Sequence, residues 1–434
     1  MPETTTTLAN AMKVFYGPRI VSGINNRNEL SDLWQKRGME FDVGGVRTEF
    51  PFHSGRNSGV GAVGNSKKLP VAGNQTVNTV QIPYRNNYIR VRLEGQIIKQ
   101  TETNKMAFVR AMEFSTKNAI KDGAHSIERQ LWANGVGIMA RVSGSHAAGA
   151  TTVQLKSPLG VTGTVGGGRY LQVNDNVVFV RNATPTSAAD ADIVSGSAVV
   201  TISSIASDGS SMVVDAAVGA TLNDNDMVVL SPGDLVTESS VNQEVDGLLG
   251  GVDDGTYRTT YHNVNRSTVP QWSAKVKSIA GDFQNKDLVK ICEVAFERYG
   301  MVNKLLSHSS VRNAYFEVLT TLKRFVSNKG ENADLGFVGV ANEKNEVEWS
   351  GRPWRACRMA PYGMIFGINT ENLSRYVNCD FEWIRGTVDG IFHVIADYDL
   401  FEARGRIYDN YHVETPTEMF RLDDINAEVE YVQL

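Results

Sequence analysis

Residues 56–70 read RNSGVGAVGNSKKLP, and Gly59-Val60-Gly61-Ala62-Val63-Gly64 within them spells G-x-G-x-x-G, with Lys67 and Lys68 close behind. Two folds compete for this stretch. In a dinucleotide fold the glycines follow a buried parallel strand and open a helix whose N-terminus takes a pyrophosphate. In a hairpin the same glycines make a pliable tip. The flanks decide. FPFHSGRNS stands before the run, and Pro51, His53, Arg56 and Asn57 make a poor buried parallel strand. NSKKLPVAGNQTVNT stands after it, where Pro70 and Gly73 exclude a long helix. No acidic residue closes a strand–helix–strand unit, and the P-loop spelling G-x-x-x-x-G-K-[ST] is absent. The stretch predicts a hairpin tip.

The neighbouring sequence supplies the arms of that hairpin. VRTEFPF (Val46 to Phe52) runs in, and TVNTVQIPYRNNYIRVRLEGQIIKQ (Thr76 to Gln100) runs out. In the outgoing arm Ile89, Val91 and Leu93 alternate with Arg90, Arg92 and Glu94, the period of a strand with one apolar face. A long helix is predicted over 103–134, capped by Thr103, interrupted at Gly123 and ended by Asn134-Gly135. Met106, Val109, Met112, Ile120, Ile127 and Leu131 keep mostly to one face, while Phe108, Phe114 and Trp132 leave it. Such a rod is about 45 Å long and needs contacts on more than one side. Upstream, residues 1–47 form a polar arm. Thr4 to Thr7 before Leu8, Met12, Val14 and Phe15 predict one short helix, and GINNRNELSDLWQKRG (Gly23 to Gly38) another, with Leu30, Leu33 and Trp34 on its face. Neither can bury its stripe alone.

Downstream the composition changes. His146 to Leu230 is rich in Gly, Ala, Ser, Thr and Val and holds three basic residues, Lys156, Arg169 and Arg181. Strand-sized runs alternate with turn residues, which predicts a small all-β domain, a barrel or a sandwich. LQVNDNVVFV (Leu171 to Val180) and TLNDNDMVVL (Thr221 to Leu230) both place an Asn/Asp turn before a valine-rich strand, a short internal repeat. Beyond residue 235 helices are predicted at Asn285 to Gly300, on Leu288, Ile291, Cys292, Ala295 and Tyr299, and at Ser309 to Phe325, on Val311, Tyr315, Val318, Leu322 and Phe325. Strands follow around RPWRACRMAPYGMIFGI and FHVIADYDLFEARGRIYDNYHV. The fold class is α+β with an inserted small all-β domain.

Composition narrows the function. At 434 residues the chain allows two or three folding units. A formal charge of −5 argues against broad electrostatic binding of nucleic acid. Cys292, Cys357 and Cys379 are odd in number and widely spaced, which predicts reduced thiols and synthesis in a reducing cytosol. MPETTTTLANAMKVF has neither the basic nor the apolar part of a signal peptide, and no apolar run reaches the length of a membrane span. No hydrolase, zinc or EF-hand motif occurs. Asn223 to Asp226 and Val252 to Asp254 read as Asx turns before they read as metal ligands. Asp397 and Asp399 would share a strand face without an acid partner, and His125 and His393 are scattered. No catalytic residue, cofactor or metal site is predicted.

The order of these parts resembles the major capsid proteins of tailed bacteriophages with the HK97-type fold. Those parts are a polar arm, a Gly-tipped two-stranded loop, a long helix and a β/α domain closing on long strands. GLLGGVDDGTYRTTYHNVNRSTVPQWSA (Gly247 to Ala274) is also similar to a loop of such coats that carries Asn-Arg-Ser and Trp after Asp-Asp-Gly. The resemblance implies an N-terminal arm at 1–47, an E-loop region at 48–100 and a peripheral domain with its spine helix at 101–145. It further implies an inserted β domain at 146–232, a mainly axial domain at 233–380 and C-terminal strands at 381–434. It implies pentamers and hexamers in an icosahedral shell around double-stranded DNA, assembled in the host bacterial cytoplasm without a membrane. A scaffolding protein, a portal and a decoration or cement protein are the implied partners. Arg56, Gly59, Gly61, Gly64, Lys67 and Lys68 then become tip residues that contact the next subunit; the two lysines do not by themselves mark a cross-linking coat. Two alternatives stand beside this reading: a soluble enzyme whose glycine run is a nucleotide loop, and a phage or cell-surface adhesin that binds through 146–232.

Overall fold

The computed structural model describes residues 30–37, 42–43, 45–55, 57, 59–65, 67–95, 105–158, 167–181, 193–194, 198–233, 236–298, 300–323, 346–384, 392–395 and 398–427. The expected helix near Thr4 to Phe15, its neighbour's first residues, the Thr103 cap, Tyr299, Phe325 and Asp397 lie outside them. Among the described residues no helix is long and apolar enough to cross a membrane.

The long helix spans Lys105–Trp132. It runs through Gly123 rather than breaking there. A Cβ at that position would lie 2.6 Å from the Ile89 Cδ1, so the missing side chain makes room for the strand that crosses the helix. Its C-terminal half is buried on several sides, with Ala124, Ile127, Glu128, Arg129, Gln130, Leu131 and Trp132 all covered. Gly135, at φ +79, ends it in the left-handed region where glycine carries no penalty.

The outgoing arm of the hairpin is two strands in two sheets, not one. Arg47–Gly55 pairs antiparallel with Thr76–Pro83, and Arg85–Glu94 then pairs with Leu400–Val413. Pro83 ends the first because it has no N–H to donate and a fixed φ. Ile89 and Val91 turn toward the helix side, while Tyr88, Arg90, Arg92 and Glu94 stay exposed. The segment expected to be helical around Leu30 to Trp34 is a 3-10 turn over Ser31–Leu33 followed by a strand, Gln35–Arg37, parallel to Leu373–Trp383. Tertiary burial overrides local propensity here: Leu30 and Trp34 enter the main core beside Leu131, Trp132, Phe366 and Tyr411.

A second body is a six-stranded sheet ordered Lys275–Asp282, Phe420–Asn426, Ile365–Ile368, Lys304–Ser307, Arg352–Ala356, Glu346–Trp349. Helices Asn285–Glu297 and Ser309–Lys323 pack on it through Leu288, Ile291, Ala295, Val311 and Tyr315, as their periodicity requires. Cys292, Cys357 and Cys379 form no disulfide.

The alanine-, serine- and valine-rich region closes into a six-stranded barrel whose first strand, Ile138–Val142, lies upstream of the composition shift. Its core of Val153, Leu155, Val177, Phe179, Ile202, Met212 and Val228 is its own. The two Asn/Asp turns are equivalent in geometry. Asn174 and Asn225 have φ 73 and 71, and Asp175 and Asp226 each accept the backbone N–H three residues earlier at 2.8 Å. The strands they launch pair with each other. The barrel is seated by Arg169, which is buried, donates to the Ala360 carbonyl at 2.9 Å and to the Arg358 carbonyl, and stacks 4.1 Å over the Tyr362 ring. Tyr170 adds a bond to the Met359 carbonyl at 3.0 Å. Arg169→Ala is expected to raise amide exchange at residues 357–362 while the barrel's own strands stay protected. Unchanged exchange at 357–362 would show that Arg169 does not hold the seat.

Candidate functional site

The hairpin Arg47–Gly55/Thr76–Pro83 carries the glycine run in the loop between its strands. Those strands are antiparallel partners, and residues 67–75 after the run are not helical. The strand–glycine–helix geometry of a dinucleotide site is therefore absent here. Asn57 forms an Asx turn by accepting the Gly59 N–H at 2.8 Å, and the Lys67 N–H bonds the Gly64 carbonyl at 3.2 Å.

The three glycines play different parts. A Cβ on Gly59 would stand 3.0 Å from the Val71 carbonyl oxygen and 3.1 Å from the Gly73 nitrogen, so glycine there lets the two limbs of the loop approach without crowding. A Cβ on Gly61 or Gly64 would make only ordinary contact, with Pro70 Cγ at 3.9 Å and Lys67 Cδ at 4.0 Å. None of the three sits in the left-handed region. Lys67 and Lys68 are exposed; Arg56 lies outside the described residues.

What sequence reasoning overlooked is the apolar character of the tip. Val60, Val63, Leu69 and Val71 are 67, 39, 80 and 79% exposed, and Val77 follows at 55%. Large apolar side chains gathered on a projecting loop mark a contact surface. The signal was present as V-G-A-V and L-P-V inside a glycine-rich stretch, but attention went to the glycines and lysines.

The base of the hairpin is the opposite of its tip. Val80 and Ile82 are fully buried with Tyr261, Val264, Val269 and Trp272. Phe52 lies 4.6 Å from the Trp272 ring, and Phe50 lies 5.4 Å from the His412 ring. The Gln81 N–H donates to the His262 carbonyl at 3.0 Å. The platform beneath is the segment Gly247 to Ala274, and its shape comes from one carboxylate. Asp253 Oδ2 accepts the N–H groups of Gly255, Tyr257 and Arg258 at 3.0, 2.9 and 2.9 Å, and lies 3.4 Å from Arg266 Nη1. Its Oδ1 takes Arg421 Nη2 at 3.0 Å. Arg266 also donates to the carbonyls of Trp272 and Gly251 at 3.1 and 2.8 Å. Asp253, Arg266 and Arg421 are buried to the last atom. Burial brings the Arg266 guanidinium down to about 10, against the pull of Asp253. Burial also opposes the Arg421 charge, but Asp423 and Asp253 outweigh it and raise its affinity for the proton. The Asp-Asp-Gly, Asn-Arg-Ser and Trp of this segment are thus one structural cluster, completed by an arginine more than 150 residues away in sequence.

A second buried carboxylate, Asp246, lies between the end of the hairpin and the turn that follows the long helix. It forms an ion pair with Arg258, whose Nη1 lies 2.9 Å from Oδ1, and its Oδ2 accepts Asn410 Nδ2 at 3.0 Å; Asn410 Nδ2 also donates to the Pro83 carbonyl at 2.7 Å. Burial works against the Asp246 charge, yet Arg258, His262 and Arg85 hold its carboxyl below the ordinary range. Beside it, burial lowers His262 to about 4 against the attraction of Asp246. His412, 4.8 Å from the His262 ring, is pushed well below its usual value by burial and by His262, and neither of its ring nitrogens finds a hydrogen bond among the described residues. No group of metal-binding side chains occurs among the described residues. Asp224, in the Asn/Asp run weighed as a metal site, bonds Gly144 N–H and Lys156 instead.

No protein-family model matches the chain, and no curated protein matches it. Solved structures do. The chain is similar to a chain of the cyanophage A-1(L) capsid asymmetric unit over 92% of its own length and 93% of that chain, at 10% identity and a TM-score of 0.53. It is also similar to a chain of the capsid of the native GTA particle, over 92% and 91%, at 10% identity and a TM-score of 0.42. The cyanophage match shows the fold: the chain shares the overall architecture of that capsid chain.

Two outcomes test the base. Asp253→Asn removes the charge between two buried guanidiniums and is expected to cost about 3–5 kcal/mol in urea unfolding; a loss under about 1 kcal/mol would remove the carboxylate from its central place. His262 and His412 are neutral when folded and protonate on unfolding once the pH is below the ordinary value near 6.5. Stability is therefore complete above that value and falls as the pH drops toward about 4. His412→Phe keeps the ring stack and should make the fall of Tm between pH 7 and pH 5 shallower. An equally steep fall would place the titration elsewhere.

Proposed function

We propose that the chain is the major subunit of a tailed-bacteriophage head, of the HK97 type. It assembles into pentamers and hexamers that close an icosahedral shell around double-stranded DNA. The observation that carries the reading is the hairpin tip, with Val60, Val63, Leu69 and Val71 exposed beside Lys67 and Lys68 on a base that is fully packed. A lone soluble molecule has no use for an apolar loop on a fixed stalk. A shell subunit does, because each copy offers one surface and receives another in ring-closing heterologous contacts. The capsid-subunit architecture supports the same conclusion.

In this reading residues 48–100 are the E-loop region, and the long helix is the spine of a peripheral domain at 101–145. The barrel is the inserted domain at 146–232. The six-stranded sheet with its two helices belongs to an axial domain at 233–380, from which 381–434 return. Arg56, Gly59, Gly61, Gly64, Lys67 and Lys68 form the tip that meets the neighbour, with the four apolar side chains between them. The subunit works in the virion after assembly in the host cytoplasm, with a scaffolding protein, a portal and a decoration protein as partners. DNA is enclosed without sequence-specific contacts. We assign the chain no catalytic activity, cofactor or metal. Neither the nucleotide enzyme nor the adhesin is favoured by the fold.

Negative-stain microscopy of the expressed chain, with its scaffold, tests the reading. Rings or closed shells are expected, and a discrete small globular particle would overturn it. At residue level, Lys67→Glu with Lys68→Glu, or Leu69→Asp alone, should abolish or weaken assembly while leaving the melting curve of the free subunit within about 0.5 kcal/mol of the parent, as for other exposed sites.

A further inference from the structure

The sheet that packs on the long helix has an opposite, open face. On it stand Tyr88, Arg90 and Arg92 of one strand, and Glu402, Arg404, Arg406 and Tyr408 of its partner, in direct register or on the diagonal. Three guanidiniums converge on one carboxylate: Glu402 takes Arg90 at 2.7 Å, Arg92 at 3.0 Å and Arg404. Glu402 is wholly covered by them, while the three arginine side chains remain 53, 55 and 48% exposed. Hydrogen bonding from Arg90, then from Arg404 and Arg92, holds the Glu402 carboxyl down at about 2 despite its burial, so the charge stays in place at any working pH. One carboxylate cannot neutralise three arginines. Two positive charges are left at a single spot facing solvent. Arg406 is paired with Glu382, and Glu94 ends the row, so anionic groups are interspersed at the margins.

The complementary charge is on the same chain. His146 to Leu230 holds seven aspartates against three basic residues, a net −4 within a chain of −5. Asp208 and Asp215 are exposed at the strand-connecting turns of the barrel and have no ion pair among the described residues. We infer that the arginine-rich sheet face of one subunit docks the acidic turns of the barrel on a second copy of this chain. Three observations favour a protein surface over the phosphates of nucleic acid. The row is bordered by Glu94 and Glu382, which would repel a polyphosphate. Its aromatic members, the exposed Tyr88 and the half-buried Tyr408, and its arginines are of the types that anchor protein interfaces. The acidic surface exists in every copy at the same concentration as the basic one. The hairpin tip cannot be the occupant, since Lys67 and Lys68 carry the wrong sign.

The inference rests on the shell-forming reading, and the test separates the two. Arg90→Gln with Arg404→Gln leaves Arg92 to hold Glu402, so the sheet keeps its pair. Asp208→Asn with Asp215→Asn keeps the turn acceptors and removes the charge. Each full-length double variant is compared with the parent for the critical concentration of assembly by light scattering, and for folding by thermal melting. Each is expected to raise that concentration about three- to tenfold at unchanged melting. The combined variant should be no worse than the weaker of the two, because the partner charge is already gone. Additive effects, or assembly equal to the parent, overturn the docking while leaving the shell reading intact. Normal assembly with lost retention of a DNA duplex in the arginine variant would reassign the face to phosphate. Failure of the parent itself to form rings or shells overturns both.

Discussion

A single buried carboxylate, that of Asp253, organises the loop on which the projecting hairpin stands. An unpaired charge in that position would be costly by several kcal/mol. Here it receives three backbone N–H groups and two guanidiniums, so the polar groups of an irregular segment are satisfied without regular secondary structure. Arg266 carries the connection on to Trp272, whose ring supports Phe52 of the hairpin. Arg421 carries it into the six-stranded sheet, on the strand between Lys275–Asp282 and Ile365–Ile368. The direction of the hairpin is thereby set by contacts in the interior of the molecule and not by the hairpin itself.

From that anchoring follows a division between fixed and free parts. The lower strands are packed among aromatic rings, while the tip bears four exposed apolar side chains and two lysines. Gly59 closes the two limbs, whereas Gly61 and Gly64 have room for a side chain. A glycine where a side chain would fit costs conformational entropy and contributes little packing. Its value lies in what the loop becomes when another surface meets it.

The barrel adds a second contrast. It has its own core and needs the rest of the chain mainly through Arg169, whose guanidinium reaches carbonyls near residue 360. It also carries a net −4 of the chain's −5, while an open sheet face elsewhere concentrates arginines around Glu402. Exposed charges that are not paired within one subunit give it little internal stabilisation, since even exposed pairs are worth little. They become effective only when copies stand side by side.

Much of the architecture was legible in the residues because the relevant physics is local. Alternation at Ile89 to Glu94, helical spacing at Leu288 to Ala295, the Asn/Asp turns of the barrel and the proline and lysines around the glycine run each act within a few residues. They excluded a dinucleotide loop and placed the long helix and the barrel. Other features depend on chain closure. Gln35–Arg37 is a strand because Leu373–Trp383 is beside it, and Gly123 lies within a helix because Ile89 crosses there. Arg421 completes the Asp253 cluster and Glu402 gathers three arginines from two strands over 300 residues apart. The sequence by itself determined the long helix, the two later helices, the barrel's turns and the strands with an apolar face, but not the strand at Gln35–Arg37. Only the tertiary structure decided which charges are buried together and which apolar side chains are left outside, because burial is a property of neighbours in space that spacing along the chain does not encode.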